Sequence, residues 1–148
     1  MSATANPSTI PAPTTASPVL SVRDLTAVFA TRAGTVTAVD AVSFDVAAGE
    51  CLGIVGESGS GKSVACLAIM GLIDYPGRVA GGKILFRGQD LRAATPEQLR
   101  ALRGASIGMV FQDPQTALNP LFTIGAQMTD IVRAHRRASR AEAEKLAV

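Results

Sequence analysis

Cysteine is scarce. Cys51 and Cys66 lie in apolar stretches and form no CxxC pair, so buried, reduced thiols are expected, in keeping with the cytosol. Long hydrophobic runs are missing: none approaches the ~18 consecutive apolar residues of a membrane span. The first residues also lack the basic and apolar regions of a signal peptide, so the chain is expected to stay in solution. Charge of one sign is scarce too. A formal net charge of +2, spread over most of the sequence, does not imply nucleic acid as the partner. No internal repeat is found, which sets repeat architectures aside.

What is present fits one α/β domain. The 148 residues are 47% apolar and 18% charged, enough to build a core. Residues 1–18 are Ala, Ser, Thr and Pro, with four of the eight prolines, and read as a disordered leader; residues 19–148 form the domain. Leu20, Val22, Leu25, Val28 and Phe29 predict a strand. After a Gly34 turn, Val36, Ala38, Val42, Phe44 and Val46 predict a second, so residues 19–46 read as antiparallel β structure. Cys51, Leu52, Ile54 and Val55 form a short apolar run typical of a strand buried on both faces. Val64, Leu67, Ala68, Met70 and Leu72 then recur at helical spacing until Tyr75-Pro76-Gly77 supplies a stop. Residues 83–87 read as a strand closed by Gly88. Thr95-Pro96-Glu97-Gln98 opens a capped helix that Gly104 ends. Residues 107–111 read as a strand delivering Gln112, followed by helices over 124–134 and after Ser139.

Between the run at 51–55 and the helix lies Gly56-Glu57-Ser58-Gly59-Ser60-Gly61-Lys62-Ser63, which matches GxxxxGK[ST]. Glycines let the backbone adopt positive φ and approach an anion, so that successive N–H groups point at phosphate oxygens. The helix start adds partial positive charge. Lys62 is placed to reach β and γ phosphates, and the Ser63 hydroxyl to bind a bridging Mg²⁺. The strand, glycine loop and helix are the context the motif requires.

With Val39-Asp40-Ala41-Val42-Ser43-Phe44 upstream and Phe111-Gln112-Asp113-Pro114 downstream, the chain resembles ABC transporter ATPases. Residues 38–40, 54–63 and 111–120 resemble the oligopeptide and dipeptide importers most. The resemblance runs from about Leu20 to the end. It implies an α/β P-loop NTPase core with an N-terminal antiparallel β subdomain, the sequence ending within the helical subdomain. It also implies ATP and Mg²⁺ as cofactors, with the nucleotide held by Phe29, Gly56, Glu57, Ser58, Gly59, Ser60, Gly61, Lys62, Ser63 and Val64. Phe29 takes the place of the aromatic that stacks on adenine. Gln112 matches the Q-loop glutamine, a Mg²⁺ or water ligand, and joins Lys62 as a catalytic residue and Ser63 as a metal ligand. The partners implied are transmembrane permease subunits and a second ATP-binding subunit, at the cytoplasmic face of the membrane.

Other family elements do not occur in these residues. No apolar strand ends in Asp-Glu, no Ser-Gly-Gly is found, and His135 does not match the switch histidine. Asp74 ends the predicted P-loop helix, the wrong context for a strand-end metal ligand. The expectation is therefore an ATP-hydrolysing family whose partial domain here is inactive alone. A non-catalytic nucleotide-binding module is the second reading. A P-loop kinase or GTPase is the third, and it lacks its Asn-Lys-x-Asp motif.

Overall fold

The structure, a computed structural model, describes residues 17–112 and 118–147. The leader expected over residues 1–18 falls outside these except for Ser17 and Pro18, and so do Asp113 and Pro114 of the glutamine segment. The chain divides into two compact units, the first ending at Ala93 and the second beginning at Ala94.

The first unit is built on an antiparallel sheet in the order β2-β1-β3-β4. Its strands are β1 (Leu20–Thr31), β2 (Gly34–Val46), β3 (Gly77–Phe86) and β4 (Gln89–Asp90). Strict alternation would put Val22 and Asp24 on one face. Instead the register with β2 slips between Val22 and Leu25, and Asp24 takes φ 47°. This bulge lets Leu25, rather than Asp24, rejoin Val22 in the core. Side chains patch the broken ladder: Asp24 N–H donates to Ser43 Oγ at 2.8 Å, and Ala41 N–H to Thr26 Oγ1 at 3.2 Å. Across the bulge on β3, Gly82 sits at φ +88°, where a Cβ would run into the carbonyl oxygens of Arg23 and Asp24. Leu25, Ile84 and Val22 are the largest fully buried side chains, each stabilising the unit by about 1.5–3 kcal/mol.

Helix α1 (Lys62–Met70) buries Ala65, Ala68 and Met70 and touches β1, β2 and β3. It ends earlier than the predicted stop at Tyr75-Pro76-Gly77. Gly71 adopts the left-handed conformation, Gly71 N–H bonds to Ala68 O, and Leu72 N–H bonds to Leu67 O at 2.8 Å. This paired closure satisfies the last carbonyls and stops the helix at Met70. Pro76 instead leads into β3, which Gly77 opens, well before the strand read at 83–87.

Three further expectations are corrected. Residues 51–55 form no strand, and Val55 is 93% exposed. Residues 107–111 form none either, beyond a single bridge between Arg103 and Ile107, and Val110 is 94% exposed. A buried parallel strand needs neighbours on its edges to satisfy its amides, and no described residue pairs with 51–55. The buried thiols fail for a related reason. Cys51 lies in this open segment, Cys66 on the outward side of α1, and both are exposed.

In the second unit, helix α2 (Pro96–Leu102) starts as read. Thr95 Oγ1 accepts from Gln98 N–H and Gln98 Oε1 from Thr95 N–H, at 3.3 and 2.8 Å, a reciprocal cap. The helix closes at Arg103, with Gly104 following at φ +78°. Helix α3 (Ile124–His135) is capped by Thr123 and packs with α4 (Arg140–Leu146), capped by Ser139. Thr129 and Ala143 are their buried residues. Among the described residues, no helix is long and apolar enough to cross a membrane.

Candidate functional site

The loop at 56–63 is shaped by its glycines and closed by its lysine. Gly59 and Gly61 take φ +80° and +87°, conformations that glycine alone reaches without strain. Gly61 is doubly constrained, because a Cβ there would strike the backbone oxygen of Ala38 on β2. That contact seats the start of α1 directly on the sheet. Ser60 N–H bonds to Glu57 O at 3.2 Å, forming a turn. Inside it, Lys62 Nζ donates to Gly56 O at 2.8 Å, Glu57 O at 2.6 Å and Ser60 Oγ at 3.0 Å.

The donor set suits an anion. The first intrahelical bond runs from Ala65 N–H to Gly61 O, and the amides of Gly59, Gly61, Lys62, Ser63 and Val64 find no acceptor among the described residues. Helix geometry leaves these first amides without partners. The first turn of α1 carries no acidic residue to offset its partial positive charge. Lys62 takes part in neither ion pair of the described residues, so its charge meets only neutral oxygens. Every residue from 51 to 60 is exposed, as is Ser63, leaving the loop open to a ligand. No three His, Cys, Asp or Glu among the described residues cluster to hold a metal. A divalent cation beside Ser63 would therefore draw most of its oxygens from a bound phosphate and from water.

Phe29 belongs to the same unit. It is half-buried on β1 opposite Gly77 of β3. A Cβ on Gly77 would stand 2.5 Å from Phe29 Cε1 and 2.6 Å from Ile73 Cγ2, so the ring lies across the glycine and keeps part of its surface outward. Gln112 is exposed in the second unit and does not end a strand as expected. The sequence reading placed Ala38 on a strand but missed its contact with Gly61. Its contribution is a main-chain oxygen, which no side-chain pattern announces.

The sequence pattern of the ABC transporter family matches residues 39–147. This chain belongs to the ABC transporter family. Among its relatives, the dipeptide transport ATP-binding protein DppD of Escherichia coli is 46% identical over 130 residues, 88% of this chain and 40% of DppD. DppD of Bacillus subtilis is 48% identical over 128 residues, 86% of this chain and 38% of its own. The oligopeptide transport ATP-binding protein OppD of Salmonella typhimurium is 46% identical over 132 residues, 89% and 39% of the two chains. The chain thus spans about two fifths of the length of these relatives.

The bacterial ABC transporter cassette MJ0796, solved as a dimer, superimposes with a TM-score of 0.71 at 26% identity, over 85% of this chain and 53% of that one. A post-hydrolysis form bound to ADP and Pi gives 0.72 at 25% identity, over 86% and 53%. The fold is accordingly that of part of an ABC cassette, an α/β P-loop NTPase fragment bearing an N-terminal antiparallel β subdomain.

Proposed function

We propose that the loop at 56–63 binds Mg-ATP and that the chain is part of the ATP-binding subunit of an importer for peptides or related solutes. One observation carries the reading: unpartnered amides and an ammonium held only by neutral oxygens converge on one open loop. The amides of residues 59 and 61–64 hold phosphate oxygens. Lys62 turns from its own loop toward the outer phosphates, Ser63 offers its hydroxyl to the cation, and Phe29 presents its outward surface to the adenine. Gln112 orients water or the cation. Bound Mg²⁺ supplies charge neutralisation at the phosphates.

The wider reading follows the relatives named for dipeptide and oligopeptide transport. The chain acts at the cytoplasmic face of the membrane with permease subunits and a second ATP-binding subunit, within the domain read at residues 19–148. These residues bind ATP without useful turnover, since phosphoryl transfer needs several groups acting together and they hold no strand ending in Asp-Glu.

Thermal melting tests the proposal. Mg-ATP at about 100 times its dissociation constant should stabilise the chain by about 2.7 kcal/mol, and Lys62→Ala should abolish the shift. No shift at saturating Mg-ATP, or an equal shift in the variant, would overturn it.

A further inference from the structure

The junction of α3 and α4 gathers cations that its own carboxylates do not neutralise. Arg133, Ala134, His135, Arg136, Arg137 and Ala138 line a concavity of about 510 Å³. A neighbouring one of about 410 Å³ shares Arg136 and Arg137 and adds Lys145. Nearby acids are mostly committed. Glu142 Oε2 accepts from the N–H and Oγ–H of Ser139 at 2.8 and 2.7 Å, and Glu144 pairs with Arg140 at 3.1 Å. Among the described residues Arg133, Arg136, Arg137 and Lys145 form no ion pair, nor does Asp130 one turn before Arg133. Four cations therefore stand near two carboxylates outside any ion pair, Asp130 and the capping Glu142 that lines the second concavity, and an excess of positive charge remains.

Helix polarity accounts for part of this. Arg133 and His135 stand in the last turn of α3, where positive charge is favourable. Arg136 and Arg137 lie beyond it, held by a tight turn: Arg136 N–H bonds to Val132 O at 2.8 Å and Ala138 N–H to Arg136 O at 2.9 Å. The turn fixes where the two exposed side chains leave the backbone, and planar guanidiniums match the paired oxygens of phosphate.

We propose that this elbow is an anion site, distinct from the loop at 56–63, which takes a phosphate-bearing group between Arg133, Arg136 and Arg137. Inorganic tripolyphosphate titrated into the ¹⁵N-labelled chain should shift the backbone amide and Nε–H signals of these arginines saturably. Arg136→Gln/Arg137→Gln should weaken that binding at least tenfold while leaving far-UV circular dichroism unchanged. Lys62→Ala should leave it intact, separating the two sites. Co-sedimentation with phosphatidylcholine vesicles, with and without phosphatidylglycerol, identifies the source. Capture by the anionic vesicles alone, lost in the double variant, assigns a lipid headgroup, and a tripolyphosphate response without capture assigns a soluble phosphate. Absence of both responses, or equal binding by the double variant, overturns the site.

Discussion

Replacing Gly61 by alanine tests how the glycine loop at 56–63 is fixed to the sheet. At φ +87° an alanine pays the left-handed penalty, about 1–2 kcal/mol. Its Cβ also meets the Ala38 carbonyl, a backbone atom that cannot swing aside as a side-chain tip could. Overpacking of this kind costs about 1–3 kcal/mol more, so Gly61→Ala should lose roughly 2–5 kcal/mol. Gly59→Ala is the internal control. Its φ is nearly the same, +80°, but a Cβ there meets nothing within 4 Å, so only the conformational penalty applies. The stiffening of the unfolded chain by alanine is common to both variants and cancels. Urea unfolding followed by circular dichroism should therefore give a lower midpoint for Gly61→Ala, by about 1 M if the slope lies near 1–3 kcal/mol/M. Equal midpoints would refute the contact between β2 and the start of α1.

Ile84→Ala empties a position only 1% exposed and should cost about 2–5 kcal/mol in the same unfolding experiment. Thr95→Ala removes half of the reciprocal cap of α2, and hydrogen exchange over residues 98–102 should speed up by the equivalent of about 1 kcal/mol. The hydrogen bonds from the Ser139 side chain and backbone hold the Glu142 carboxyl below its ordinary 4.5. A depressed folded value stabilises the start of α4 above pH 4.5, and that contribution disappears as pH falls through the depressed value. Carbon-detected NMR titration should show the Glu142 carboxyl shifting up toward its ordinary range in Ser139→Ala, which removes the hydroxyl but keeps the backbone bond. An unchanged titration would remove the cap as the cause.

Local chemistry was the legible part of this protein. Thr95 and Gln98 sit three residues apart at the start of a helical run, a spacing that marked the reciprocal cap of α2, and Ser139 marked the start of α4. The shape of the glycine loop was legible for the same reason, since Gly59 and Gly61 hold positive φ where the motif's spacing asks for glycine. The apolar runs at 51–55 and 107–111 were not, because a run of Leu, Ile and Val states a need for neighbours without supplying them. The early part of β3 was obscured by Gly77, read as part of a helix stop, and by Gly81 and Gly82, which have no side chain to show a strand's alternation. Gly77 lies beneath the Phe29 ring and Gly82 opposite the β1 bulge. Ala38 was legible as a strand residue, but the place of its carbonyl against Gly61 was not, since any residue would offer the same oxygen.

The three hydrogen bonds of Lys62 make it a latch as well as a charge. Its ammonium joins the first residue of the loop to the first turn of α1, so residues 56–62 form a ring fastened by one side chain. Opening that latch and extending the lysine outward are one movement, so in the proposed binding role loop shape and anion affinity would be governed by the same four-carbon stem. An arginine could carry the charge, but its planar fork would not fit a ring sized for one ammonium.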